Sequence, residues 1–177
     1  MSTGLSCDGK KKNVVAVEYY QGVLEEDTTS WLQKGLNPVM VINTRTLMWP
    51  EDKIKAMTYP DVTNDRIFGY LTRLTIDAYF YPAKIEVVKE QIDALPSGLV
   101  LIVGSGAAYV FPEYDMLVYA DMARWETQLR MRRHEVDNLG VSNRNTEDWM
   151  LLYKQGFFVD WRVLDRWKKK LMNKWLS

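Results

Sequence analysis

Four short apolar runs limit what this chain can become: "NVVAVEYY" from Asn13, "PVMVINT" from Pro38, "GLVLIVG" from Gly98 and "DMLVYAD" from Asp115. Each is apolar at consecutive positions, the first also β-branched, the pattern of a strand buried on both faces. Stretches with a helical repeat lie between them. That alternation predicts an α/β fold, a mainly parallel sheet flanked by helices in three layers. The run ending at Gly104 is apolar on both faces and is expected at the centre of the sheet. "GFFVDW", from Gly156, offers a possible fifth strand over 156–160.

The expected helices follow from spacing and punctuation. One covers Asp27 to Leu36, with Trp31 and Leu32 as its apolar side. Pro50 opens a second. Ile67, Leu71, Leu74 and Ala78 share a face and predict a helix over 64–78. Pro82 opens another, whose face is Ile85, Val88, Ile92 and Leu95 and whose stop is Pro96 and Gly98. "MARWETQLRMRRHEV" predicts a helix with Met122, Trp125, Leu129 and Val136 inside. The last helix presents Leu164, Trp167, Leu171 and Trp175.

The chain has 177 residues, enough for one domain with a sizeable core. Residues 1–12 read as a flexible leader and 13–177 as a single α/β domain. The only cysteine, Cys7, excludes a disulfide or a cysteine zinc site within the chain. No signal-peptide pattern and no apolar run near the roughly 18 residues of a membrane span is present, so the expected location is the cytoplasm, off the membrane. The formal net charge is zero, which gives no basic field for nucleic acid. Residues 1–121 nevertheless hold 11 basic against 16 acidic side chains, and residues 122–177 hold 12 against 7. That asymmetry reads either as a basic helical surface or as an anion site in the C-terminal third.

In open α/β sheets ligands bind beyond the carboxyl ends of the strands. Three such ends matter here: the Tyr19–Glu25 turn, the Gly104–Ala108 turn and the Asp121–Arg124 junction. A phosphate loop needs glycines that turn N–H groups onto phosphate, then Lys and Ser or Thr. The first turn has one glycine, Gly22, no such Lys, and the acids Glu25, Glu26 and Asp27. Acids suit a helix N-terminus but repel a triphosphate. Gly22, Glu25 and Asp27 therefore mark a degenerate phosphate-loop position. "GSG" at 104–106 lacks the third glycine of a dinucleotide fingerprint and reads as a tight turn. Arg124, Arg130 and Arg133 are the phosphate-binding candidates, because guanidinium matches phosphate bidentately. Glu126 stands four residues before Arg130, so a salt-bridged helix face is the competing reading. The single histidine, His134, makes a histidine metal cage impossible, and no catalytic residue is assigned.

The segment "GLVLIVGSGAAYVFPEYDMLVYADMARWETQLRMRRHEVDNLG" resembles the second half of uridine-kinase-type P-loop kinases, with a strand, a "VYAD" strand and an Arg-rich lid helix. "NVVAVEYYQGV" stands where such a kinase has its first strand and phosphate loop, without the glycines, Lys and Ser/Thr. "TNDRIFGY" stands at the substrate segment. More closely, "LIVGSGAAYVFPEYDMLVYADMARWE" and "GFFVDWRVLDRWKKKL" resemble the kinase-like N-terminal region of bacterial class I mannose-6-phosphate isomerase (phosphomannose isomerase) homologues. That resemblance implies a downstream cupin domain carrying the isomerase chemistry of carbohydrate metabolism and its zinc-type metal. No cofactor or metal position falls in the present chain. The final helix has no stop signal, which agrees with a chain that continues.

The expectation is a non-catalytic, degenerate nucleoside-kinase-like module acting in domain packing, assembly or phosphate-ligand sensing. Its partners would be the downstream cupin domain or a second copy, with a phosphorylated small molecule as ligand. An active phosphotransferase with an unorthodox loop and Asp65 as base is one alternative. A purely structural interaction domain is the other.

Overall fold

The computed structural model describes residues 11–175. Cys7, nearly all of the expected leader and the end of the chain after Trp175 lie outside the described residues, as does the side chain of Trp175. Four strands form the sheet: β1 (Lys12–Tyr19), β2 (Met40–Asn43), β3 (Gly98–Gly104) and β4 (Met116–Ala120). Their order is β2-β3-β1-β4 and all three pairings are parallel. Lys12, placed in the leader from sequence, opens β1 opposite Gly98. Its ammonium donates to the Ile92 carbonyl at 3.0 Å, which draws it into the sheet.

The helices are α1 (Glu25–Leu36), α2 (Glu51–Val62), α3 (Pro82–Ala94), the single turn α4 (Ala107–Val110), α5 (Arg124–Arg132), α6 (Trp149–Gln155) and α7 (Trp161–Trp175). One sheet face, with Val14, Ala16, Val100 and Ile102, packs on Ile54 of α2, on Ile85, Val88 and Ile92 of α3, and on Leu164, Trp167 and Leu171 of α7. The opposite face, with Val17, Tyr19, Leu101 and Val103, meets Leu32 of α1. Together these make the three-layer α/β arrangement. β3 and β1 are the inner strands, and Val100 to Val103 are fully buried.

Three expectations are corrected. Residues 156–160 are not a strand but a π-helical turn, Gly156–Asp160, joining α6 to α7. No helix spans 64–78: the chain bends at 64–67 and then runs without a helix or strand to a 3-10 turn, Ile76–Tyr79. Its backbone groups bond to other elements instead of up a helix. Tyr70 N donates to Asp61 O at 2.7 Å and Thr72 N to Phe158 O at 2.9 Å. Finally, α5 is shorter than expected and rotated. Trp125 is 66% exposed, while Thr127 and Met131 are buried. The Thr127 hydroxyl is drawn inward by the Gln21 carbonyl, 3.0 Å away.

The connection leaving β1 passes through α1 on one face, and the one leaving β3 passes through α4 on the other. The crevice between their carboxyl ends is the topological switch point of the sheet.

Candidate functional site

A cleft of about 700 Å³ opens at that carboxyl edge. Its floor is the β1–α1 turn, Gln21 to Asp27. One wall is Asn43 to Arg45 after β2, and the other is the loop from His134 to Asn145. The size lies within the usual range for small-molecule sites.

The turn is built from α5. Gly22 has φ of 100°, and a Cβ there would meet Thr127 Oγ1 at 2.5 Å. Glycine is required both for the left-handed backbone and for this close approach. The carbonyls of Gln21 and Gly22 face α5, accepting from Thr127 Oγ1 at 3.0 Å and from Arg130 Nη1 at 2.7 Å. Tyr20 N is spent on Ala120 O and Val23 N on Tyr20 O. Glu25, Glu26 and Asp27 then cover the first turn of α1. Burial pushes the Glu25 carboxyl up from its ordinary value, against the pull of Arg45.

The facing walls are tied by one carboxylate. Asp137 lies 3.6 Å from Arg45 and 3.9 Å from Arg144, and its Oδ1 accepts from Arg144 N at 2.7 Å. Arg45 also donates to Ser142 Oγ at 2.8 Å. Beneath them lies a buried polar node. Asp160 Oδ2 accepts from Asn138 Nδ2 at 2.7 Å, Gln21 Nε2 at 2.9 Å and Leu139 N at 3.2 Å. Burial pushes the Asp160 carboxyl up to about 6 in spite of those donors. The π-helical turn is what carries Asp160 to this position; such turns often mark functional sites.

The "GSG" turn is occupied from within. Glu18 Oε2 accepts from Gly106 N and Oε1 from Ala108 N, each at 2.8 Å. Ser105 Oγ donates to Tyr19 O at 2.7 Å. A Cβ at Gly104 would meet Thr44 Oγ1 at 2.2 Å, so these glycines serve close packing.

The structure brings Arg130 and Arg133 together on one oxygen of Glu126 and places Arg124 apart on Asp165; none of the three lines the cleft. Arg124 pairs with Asp165. Arg130 pairs with Glu126 at 3.0 Å. Arg133 pairs with Glu135 at 2.8 Å and Glu126 at 3.1 Å. Asp65 holds a turn, accepting from Ile67 N and Phe68 N at 2.7 Å each. His134 is exposed and sits past the end of α5 with φ of 56°, where it borders the cleft. Gly22, Glu25 and Asp27 do line the cleft. Sequence reasoning missed Arg45, Asp137, Arg144 and Asp160. Arg45 had a signal, because it follows the carboxyl end of a strand; the other three had none. Among the described residues no three of His, Cys, Asp or Glu are grouped to hold a metal ion. No described helix is long and apolar enough to cross a membrane.

The chain belongs to the family described as Domain of unknown function (DUF8485), whose model matches residues 4–176. No curated protein matches it.

Proposed function

We propose that this domain is a non-catalytic, kinase-like cytoplasmic module that holds a small polar ligand at the carboxyl edge of its sheet. We further propose that it packs within a larger sugar-phosphate protein of the mannose-6-phosphate isomerase type. One observation carries the non-catalytic reading: the polarity of the β1–α1 turn. A phosphate cradle presents N–H groups and a Lys to the anion, and phosphoryl transfer depends on that electrostatic stabilisation. Here two carbonyls are tied to Thr127 and Arg130, and three acids follow. The cleft supports the ligand reading. Its five carboxylates, Glu25, Glu26, Asp27, Glu135 and Asp137, outnumber Arg45 and Arg144. That balance favours a neutral or cationic polar ligand over a polyphosphate. The larger-protein reading is supported by the resemblance of the 101–126 and 156–171 segments.

Titration calorimetry with ATP and magnesium tests the first part. No binding tighter than about millimolar is expected, roughly 4 kcal/mol. Micromolar binding that disappears when the Gln21–Asp27 turn is altered would overturn the proposal. An antibody raised to this domain tests the second part in the native host: a product of 20.7 kDa and nothing larger would refute it.

A further inference from the structure

Between α2 and the Ile76–Tyr79 turn, residues 63–75 form an arm outside any helix or strand, bent at 64–67. The arm is pinned along its length. Lys154 Nζ donates to the carbonyls of Thr63 and Asp65. Arg166 donates to Thr72 O at 2.9 Å and Leu74 O at 2.6 Å. Gly69 lies so close to α2 that a Cβ would meet Asp61 O at 2.5 Å. The bonds hold the backbone inward and leave the apolar side chains outward. Ile67, Phe68 and Tyr70 are each 69% exposed, Leu71 is 58% exposed, and Tyr59 on the adjoining α2 is 57% exposed. At about 150–250 Å² for a large aromatic side chain, the five present on the order of 600 Å² of mostly apolar surface. That is at the upper end of what a monomer ordinarily leaves bare.

Beside these projecting side chains is a hollow of about 540 Å³ lined by Asp61, Tyr70, Leu71, Arg73 and Leu74. Knob and hollow share Tyr70 and Leu71, so one surface carries both halves of a contact. A two-fold axis through such a surface seats each copy's knob in the other's hollow, which is the geometry of a closed, self-complementary dimer. The charges agree. Arg66 flanks the knob and is held only loosely, 4.0 Å from Asp148. Asp61 lines the hollow beside Arg73, and it is the carboxylate there that Arg66 of the other copy would face.

We propose that the Ile67–Leu71 arm and the hollow beside it form a two-fold interface between two copies of this domain, with Arg66 of each facing Asp61 of the other. Two patches of this size bury on the order of 1,200 Å², the lower end for specific complexes. The dimer is therefore weak and forms as concentration rises. This inference rests on the arm alone and stands or falls apart from the cleft.

Sedimentation velocity of the 177-residue chain from about 1 to about 300 μM tests it. The expected result is a shift from 20.7 kDa toward twice that mass. Phe68→Asp is expected to weaken pairing by about tenfold or more while leaving the melting temperature unchanged, because Phe68 is solvent-facing. Arg66→Glu and Asp61→Lys are each expected to weaken self-pairing. Mixing the two variants restores a dimer, since one of the two contacts is then Glu with Lys and the other is native. A chain that stays monomeric throughout, including one whose arm proves to dock a different protein, overturns the proposal. So does a dimer indifferent to all three substitutions, or a mixture that does not re-pair.

Discussion

The indole Nε1 of Trp167 donates to Glu18 Oε1 at 2.9 Å, so the end of β1 and the middle of α7 share one buried carboxylate. The same carboxylate holds the turn after β3 through Gly106 N and Ala108 N. Burial nevertheless dominates its ionisation, pushing the Glu18 carboxyl from 4.5 up to about 7. Asp160 is pushed up to about 6. Both groups hold a proton in the folded state over a range where the unfolded chain has lost it. Stability must then fall as pH rises through that window, from about 4.5 to about 7, and level off above it. Urea denaturation at pH 5 and pH 8 should differ by a few kcal/mol in favour of pH 5. Glu18→Gln should flatten most of this slope, at a cost of about 1–3 kcal/mol because Gly106 N then faces an amide donor or loses its acceptor. A profile that rises across this window, or a Gln variant with an unchanged slope, would contradict the assignment.

The strands were legible because their apolar residues run consecutively, and little besides a sheet core can bury "VLIV" on both faces. The arm was not. Ile67, Leu71, Leu74 and Ala78 do repeat with helical spacing, yet the backbone N–H groups there are taken by Asp61 and Phe158. Local pattern lost to tertiary hydrogen bonding. "GFFVD" failed as a strand for a related reason: a short apolar run such as Phe157 to Val159 reads alike in a strand and in a buried helix, and here α6 and α7 continue through it. In the cleft, Glu25 and Asp27 were readable from the turn. The pairing of Asp137 with Arg45 and Arg144 was not, since it depends on how a long loop returns over β2. Glu18 carried a visible signal, a single acid inside a run of buried residues.

Two glycines offer a matched contrast. Gly22→Ala places a Cβ against Thr127 Oγ1 at 2.5 Å and keeps an L residue at φ of 100°. It should cost about 2 kcal/mol or more. Gly35→Ala, in the last turn of α1, meets nothing within 4 Å. It should stabilise by a few tenths to about 1 kcal/mol. Thermal unfolding of both variants checks the pair. Equal effects would mean that the β1–α1 turn is not held against α5 as described.

Arg130 of α5 and Arg133 just past its end decide whether a second anion site exists. Arg130 spends its guanidinium on Glu126 at 3.0 Å and on the Gly22 carbonyl at 2.7 Å. Arg133 forks between Glu126 and Glu135. A phosphate or sulfate arriving here would have to displace carboxylates already in place, and the fork that makes arginine a good phosphate ligand is filled. Arg130→Ala should therefore cost about 1 kcal/mol through the released Gly22 carbonyl. Arg133→Ala should change stability little, because its ion pairs are solvent-exposed. Sulfate should raise the melting temperature of the wild type and of the Arg130→Ala/Arg133→Ala double variant by the same amount. If the double variant loses a protection that the wild type has, the carboxylates are displaceable and α5 is an anion clamp after all. If the responses match, Arg130 acts as the clasp that turns the Gly22 carbonyl toward α5, and the same bond that stabilises the turn is what denies it a phosphate.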